Sequence, residues 1–254
     1  AMGYGLTAFC IIPAIIGAIW AGPGKFVDRF ANASGMSAGQ WLKETVFNPF
    51  REFLGRHGAL LILGFVLIYK VGDAMGQTML GPMIVDLGFA DLDYVSANKL
   101  WGFAALIVGS ALGAPFILWL GMGRALLISG LLMMFSNVMF MLLALSGNNY
   151  WMLVLAIVTE NLTSGIGLTV FTTYLSGLSS LAYTATQFAL LSSFAAFGRT
   201  WLASPAGIVA EKLGWVGFWG FTIVAAIPGM VLLWLLWNKG YLVQSVRQPS
   251  TQDD

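Results

Sequence analysis

Charged side chains are scarce in this sequence of 254 residues, since Asp, Glu, Lys and Arg together make up only 9%. Soluble domains carry about 25%, so the chain has too little polar surface for a soluble globular fold. Hydrophobic residues reach 58%, with 31 glycines and 10 tryptophans. Glycine lets transmembrane helices pack closely, and tryptophan gathers at membrane interfaces. The composition therefore predicts an all-α polytopic membrane protein.

Cysteine and histidine are nearly absent, with one residue of each, Cys10 and His57. A single cysteine excludes an internal disulfide and a thiolate metal cluster. A Ser-His-Asp triad would have to use His57, which follows Arg56 in a basic loop, so hydrolase chemistry is not expected. The Gly165-x-Gly167 pair is not a nucleotide loop, because no strand precedes it. We therefore expect no enzymatic activity, no cofactor and no metal.

Apolar runs of roughly 20 residues, the length that crosses about 30 Å of hydrocarbon, recur along the chain. We predict seven transmembrane helices, at about 3–20, 59–85, 97–120, 124–146, 150–176, 184–208 and 214–238. The last six divide into two evenly spaced sets of three, a pattern typical of transporters built from inverted repeats. The predicted organisation is a helix in 1–20, a cytoplasmic connecting loop in 21–58, a six-helix bundle in 59–238 and a cytoplasmic tail in 239–254.

Basic residues in the loops predict the orientation of the chain in the membrane. The loop 21–58 holds five of them, whereas the next loop, 86–96, has three aspartates and no basic residue. Arg124 then lies in the third loop, and Lys239 and Arg247 lie in the tail, whereas the loop 177–183 has no charge and the loop 209–213 is neutral. This alternation places the N-terminus outside and the tail in the cytoplasm. The chain opens without a signal peptide, and we expect that it was cut from a longer polypeptide.

The segment Asn48-Pro-Phe-Arg-Glu-Phe-Leu-Gly55 predicts a short helix, with Asn48 as the N-cap and a proline in the first turn. Phe50, Phe53 and Leu54 would share one apolar face. Such a helix would lie flat on the cytoplasmic membrane surface. A simple linker helix between two bundles fits the same pattern.

Two charges interrupt the run 59–85, in Leu67-Ile-Tyr-Lys-Val-Gly-Asp-Ala-Met75. A charge at the centre of a transmembrane helix costs about 2.5–3.5 kcal/mol. Lys70 and Asp73 are three residues apart, so they share a helical face and can pair. They form either a structural ion pair between helices or part of a substrate or ion pathway, where intramembrane ionisable residues are mostly found.

Glu160 lies halfway along the run 150–176, with no basic residue in the same helix. A carboxylate removed from water is costly in its charged form, so Glu160 is a candidate for proton exchange. Asn161 follows it, and the nearby glycines allow another backbone to approach. The alternative role for Glu160 is a hydrogen bond to a neighbouring helix.

Gln187 and Arg199 are twelve residues apart in the run 184–208, so their side chains are roughly aligned on one helical face. Arg199 either binds an anionic group through its fork of donors or extends to the outer interface. Asn98 and Lys99 open the run 97–120, where Lys99 also fits an interfacial anchor. The candidate residues for substrate binding or proton coupling are Lys70, Asp73, Asn98, Lys99, Glu160, Asn161, Gln187 and Arg199.

Four motifs resemble those of AmpG-type muropeptide permeases of the major facilitator superfamily. They are YKVGDAM (69–75), SANKLWG (96–102), TENLTSGIG (159–167) and ATQFALLSSFAAFGR (185–199). The resemblance extends from about residue 48 to residue 236. The acetyl-CoA transporters, a related family, share several of these features.

The resemblance implies import of anhydro-muropeptides across the bacterial inner membrane, driven by the proton gradient. Residues 3–20 would correspond to the sixth helix of a twelve-helix transporter, and the later six to its second bundle. The eight candidate residues match polar positions of the family's motifs. Three of them, Lys70, Lys99 and Arg199, are cationic and would suit carboxylates on an anionic sugar-peptide. Five helices of the first bundle are missing from this sequence, so transport would require an N-terminal six-helix half or a second copy.

Three other classes remain open at this stage. A major facilitator transporter for acetyl-CoA or another solute would carry the same features. A seven-helix receptor would suit the helix count, although a retinal protein needs a lysine in its last helix and 214–238 has none. A membrane-embedded enzyme would be restricted to carboxylate chemistry.

Overall fold

The computed structural model describes Ser37, residues 47–179 and residues 184–244. The predicted helix at 3–20, most of the loop 21–58 and the end of the tail lie outside these residues. The described residues form helices and no strands. Five helical segments, two of which comprise more than one helix, are long and apolar enough to cross a bilayer: Ala59–Asp86, Asp91–Leu120, Met122–Ser146, Tyr150–Leu178 and Ala206–Asn238. The predicted class, an all-α polytopic membrane protein, is confirmed.

The helices are numbered here in chain order. They are α1 Asn48–Leu54, α2 Ala59–Ile68, α3 Val71–Asp86, α4 Asp91–Ser96, a π-helix Ala97–Gly102, α5 Phe103–Leu120, α6 Met122–Ser146, α7 Tyr150–Leu178, α8 Thr184–Ala203, α9 Ala206–Asn238 and α10 Tyr241–Gln244. Helix α8 has 20 residues but is not among the five most apolar helices, because it carries Gln187 and Arg199.

Two of the predicted spans are interrupted in the structure. The predicted helix 59–85 divides into α2 and α3, because Lys70 adopts the non-helical angles φ −106° and ψ 15° as the N-cap of α3. The predicted helix 184–208 ends at Ala203, and a turn at Ser204 and Pro205 separates α8 from α9. Proline lacks an N–H and disfavours helix at the residue before it, which explains this second break.

The short helix α1 forms where it was predicted, but one detail of that prediction is wrong. Asn48 is the first helical residue rather than the N-cap, because Phe47 already has helical angles and no side chain caps the helix. Of the three apolar residues, Phe53 is buried while Phe50 and Leu54 are exposed. Helix α1 packs against α2 and α8. Its location on the membrane surface stays a prediction.

The membrane-length segments pack in a repeating pattern. Helix α5 packs on α7, and α8 packs on α2 and α3. Helix α6 packs on α7, α9 packs on α2 and α3, and α6 and α9 pack on each other. In this pattern α2 with α3 corresponds to α7, α4 with α5 corresponds to α8, and α6 corresponds to α9. When each segment is replaced by its counterpart, the same set of pairings results.

Two glycines add to this correspondence. Gly121 precedes α6 at φ 75° and ψ 159°, and Gly214 interrupts α9 at φ 65° and ψ 174°. This backbone region is accessible essentially only to glycine. The same turn therefore introduces α6 and the long second part of α9, and in both places the sequence reads Leu-Gly.

The buried residues form two apolar clusters with polar residues between them. One cluster contains Phe65 and Tyr69, and the other begins at Val71 and includes Met75. Lys70 and Asp73 fall at the boundary, where α2 gives way to α3. The break in this first segment therefore positions two charged side chains between the two halves of the core.

Candidate functional site

Four ionisable side chains from three membrane-length segments converge at the boundary between the apolar clusters. Lys70 and Asp73 come from the start of α3, Glu160 from the middle of α7 and Arg199 from α8. Lys70 lies within electrostatic range of the other three. The exposed fractions of Lys70, Asp73 and Glu160 are only 7%, 8% and 7%. Half of the eight candidate residues thus form one cluster.

Glu160 is held by two serine hydroxyl groups. Ser136 of α6 donates to Oε2 at 2.5 Å, and Ser164, one turn along α7, donates to Oε1 at 3.0 Å. The hydrogen bond to a neighbouring helix, expected as the alternative role of Glu160, is therefore formed. The sequence motif contained Ser164, but nothing in the sequence indicated Ser136 as a partner.

Asp73 lies beside Glu160, and the two carboxyl groups interact directly. Oδ2 of Asp73 accepts a long hydrogen bond of 3.4 Å from Gln77. Oδ1 is buried and receives no hydrogen bond from any donor in the described part of the chain. A buried carboxylate oxygen without a donor is costly, so Asp73 has capacity for one more hydrogen bond.

The predicted ion pair between Lys70 and Asp73 is not formed. Among residues 47–179 and 184–244, the ion pair shorter than 4.0 Å joins Arg56 to Glu52, at 2.9 Å. The prediction assumed a continuous helix in which residues three apart share a face. Because Lys70 instead caps α3 with non-helical angles, this geometry does not apply, and the two charges interact over a longer distance.

A cavity of about 460 Å³ opens between α3 and α8. Asp73 and Arg199 both line it, together with polar side chains that sequence reasoning missed. The cavity-lining residues are Asp73, Ala74, Gln77, Thr78, Ala196, Arg199, Thr200, Ala203 and Ser204. The sequence did contain a signal for these polar side chains. Asp73 and Gln77 are four residues apart, as are Thr200 and Ser204, and residues at this spacing lie on one face of a helix.

Asn98 and Asn161 lie near each other, on either side of Gly102. A Cβ placed on Gly102 would lie 2.9 Å from Nδ2 of Asn161 and 3.1 Å from Oδ1 of Asn98, so both amides flank this glycine. Neither asparagine lines the cavity. Lys99, in the π-helix beside Asn98, is exposed. These three candidates are thus not brought into the ionisable cluster.

Gln187 lies in a different network, at the other end of α8. Its side chain is buried and donates to the backbone oxygen of Pro49 at 3.1 Å and to the carboxylate of Glu52. Arg56 donates to the same carboxylate at 2.9 Å. These bonds fix α1 to α8. Twelve residues of helix correspond to about 18 Å and to about 3.3 turns. Gln187, which is buried, therefore lies at a different depth from Arg199, which is exposed, and about 120° away from it around the helix, so the expected alignment is wrong.

The cluster combines two chemical capacities. Arg199 and Lys70 provide cationic donors that suit a carboxylate, and the guanidinium can bind it through two parallel hydrogen bonds. Asp73 and Glu160 provide carboxyl groups, one of which faces a cavity that admits water. Anion binding and proton exchange are therefore possible within one small volume of the membrane interior.

Comparisons with known proteins identify relatives of the chain, although no protein-family model matches it. The anhydromuropeptide permease of Escherichia coli K12 is 37% identical over 193 residues, covering 76% of this chain and 39% of that protein. A Rickettsia conorii protein named as an AmpG 4 transporter is 32% identical over 204 residues, covering 80% and 49%. The chain thus spans less than half the length of these relatives. The resemblance predicted from the four motifs is confirmed, and the chain belongs to the family of AmpG-type permeases.

Proposed function

We propose that this chain is part of a secondary active transporter that imports anhydro-muropeptides together with protons. The observation that carries the proposal is the gathering of Lys70, Asp73, Glu160 and Arg199 in one cluster, in which Asp73 and Arg199 line a cavity. Charges at that depth are expensive and mostly serve substrate or ion pathways. The relative named anhydromuropeptide permease supports the choice of substrate.

The two cations and Glu160 take different roles in this proposal. Arg199 binds a carboxylate of the sugar-peptide at the cavity wall. Lys70, which is buried and does not line the cavity, adds positive charge nearby. Glu160 holds the coupled proton, since it is buried and its hydroxyl partners support either a charged or a neutral carboxyl group. Asn98, Lys99, Asn161 and Gln187 are proposed to act outside this centre, in substrate contacts at other stages of transport.

The proposed architecture has seven transmembrane helices, of which the last six form one major-facilitator bundle of two three-helix repeats. The exchange symmetry of the helix pairings and the matching turns at Gly121 and Gly214 support the repeats. Residues 3–20 then correspond to the sixth helix of a complete transporter. The exposure of Arg199, Thr200 and Ser204 supports a second bundle that covers them, from an N-terminal half or a second copy.

The proposed location is the bacterial inner membrane, with the N-terminus periplasmic and the tail cytoplasmic. The basic residues of loop 21–58 and of the tail support this orientation, because cytoplasmic loops carry the excess of Lys and Arg. Import then moves substrate from the acidic loop 86–96 toward the basic side.

Glu160→Gln in the complete gene product, reconstituted in vesicles, tests the proposal. We expect proton-driven accumulation of anhydro-muropeptide to be lost, while exchange of internal for external substrate continues. Glu211→Gln, an exposed carboxylate at the start of α9, is the matched control and should behave as wild type. Unchanged coupling in Glu160→Gln would reject its role, and competition by acetyl-CoA but not by muropeptide would favour the related family.

A further inference from the structure

Asp73 and Glu160 form a buried carboxyl pair whose two members have different access to water. Asp73 lines the cavity between α3 and α8, whereas Glu160 does not. The carboxylate oxygens of Glu160 already accept hydrogen bonds from Ser136 and Ser164. Oδ1 of Asp73 is buried without a donor among the described residues. The open position of the pair is therefore on the side of Asp73.

Two carboxylates in contact inside a membrane protein cannot both be ionised at low cost. Each loses its hydration, and like charges at short range in a low dielectric repel strongly. The usual result is that the two groups share a proton and titrate as one unit. A proton shared with Glu160 then supplies a hydrogen bond to the buried carboxyl group of Asp73.

The neighbouring helices set the charge around this pair. Lys70 at the start of α3 and Arg199 of α8 are the cations within range. Helix α6 contributes the hydroxyl of Ser136. Helix α9 packs on the other side of α3 through Thr222 and Trp219, neither of which ionises. The proton balance of the pair is thus set by two cations, one of which lines the same cavity.

We propose that Asp73 is the relay through which the coupled proton passes between cavity water and Glu160, an inference that rests on the proposed proton-coupled transport. The starting pair holds one shared proton and one negative charge. A hydronium ion in the cavity donates a proton to the carboxyl group of Asp73 and leaves as water. The proton that the pair had shared then stays on Glu160, so both carboxyl groups become neutral, and loss of a proton from Asp73 to cavity water reverses the step.

Substrate binding has a defined effect on this relay. When a substrate carboxylate engages Arg199, the positive charge beside Asp73 is neutralised, so the carboxyl pair holds its second proton more firmly. Uptake of the anionic substrate and uptake of the proton therefore favour each other. Release of the substrate frees Arg199 and favours loss of the proton through Asp73.

The test compares Asp73→Asn with Asp86→Asn in the complete gene product in vesicles. Asp86 is at the end of α3, where its carboxylate accepts a hydrogen bond from Trp215, so it provides the same substitution on the same helix away from the cavity. We expect Asp73→Asn to lose proton-driven accumulation but to retain substrate exchange. Asp86→Asn should keep both. Asp73→Ser serves as the second variant if Asp73→Asn does not fold.

Infrared difference spectra on acidification give a second readout, because a protonated carboxyl group has its own C=O band. We expect wild type and Asp86→Asn to show this band and both Asp73→Asn and Glu160→Gln to show it altered. Normal coupling in Asp73→Asn with lost coupling in Glu160→Gln would overturn the relay and leave the proposed function standing. Normal coupling in both variants would instead contradict proton coupling through this pair.

Discussion

At the scale of single residues, two buried tyrosines show how differently a hydroxyl group can be used within one cluster. The ring of Phe65 contacts that of Tyr69 at 4.8 Å and that of Tyr174 at 5.6 Å between centroids. The hydroxyl of Tyr69 donates to the backbone oxygen of Leu126 at 2.7 Å. The hydroxyl of Tyr174 is buried without a partner in the described residues.

Removal of the two hydroxyl groups should therefore affect the free energy of unfolding differently. Tyr69→Phe removes a buried hydrogen bond, although Ser129 still donates to the oxygen of Leu126, and we expect the free energy of unfolding to fall by about 1 kcal/mol. Tyr174→Phe removes a hydroxyl that gains nothing from burial, so stability should stay the same or rise. Denaturation of both variants in detergent, followed by fluorescence, measures the difference. Equal losses in the two variants would contradict this assignment of hydrogen bonds.

The ionisable cluster was accessible to prediction because a charge inside an apolar run stands out and has few acceptable explanations. Lys70, Asp73, Glu160 and Arg199 were found in this way. Gln187 was grouped with them because twelve residues were taken as a whole number of helical turns, whereas they make about 3.3 turns and a rise of about 18 Å. Ser136 was missed because a serine in an apolar helix is common, and its partner belongs to another helix.

At the scale of helices, the tightest packing in the bundle joins α5 to α7. A Cβ on Gly109 would lie 2.2 Å from the backbone oxygen of Leu162. A Cβ on Gly165 would lie 2.7 Å from the backbone oxygen of Leu106. The backbones of the two helices thus touch where both sequences have glycine, as small residues allow in membrane proteins.

Gly109→Ala should separate these helices, because the obstacle is a backbone oxygen that cannot rotate away. Overpacking typically costs about 1–3 kcal/mol, and we expect a clear fall in the unfolding temperature in detergent. Gly81→Ala is the matched control, since nothing lies within 4 Å of its Cβ position in α3. An unfolding temperature for Gly109→Ala as high as that of Gly81→Ala would contradict the close approach.

Helix ends were predicted well where the chain changes from apolar to polar, and poorly where a helix breaks inside an apolar run. The predicted span 124–146 corresponds closely to Met122–Ser146. The break at Lys70 and the π-helix over Ala97–Gly102 were not anticipated, because a window of 20 residues measures average hydrophobicity and not local backbone geometry. The turn at Pro205 was not anticipated either, and proline alone does not predict it, because Pro82, Pro115 and Pro228 lie inside helices.

At the scale of the whole molecule, the proposed orientation can be measured directly. Asp91 is exposed at the start of α4, and Lys239 is exposed after α9. With Cys10 replaced by serine, single-cysteine variants Asp91→Cys and Lys239→Cys can be labelled in intact cells with a maleimide that does not cross membranes. We expect labelling at position 91 and none at position 239 until the cells are opened. The reverse pattern would invert the proposed topology.

The matching turns before α6 and within α9 have a consequence for tolerance to mutation. Gly121 and Gly214 have open space around them, since no atom lies within 4 Å of the position that a Cβ would occupy on either residue. A saturation library would nevertheless record both as intolerant sites, because the obstacle is torsional strain within the residue itself. No change in a neighbouring side chain could relieve this strain, so lineages that descend from this chain should tend to retain both glycines even while the surrounding helices drift.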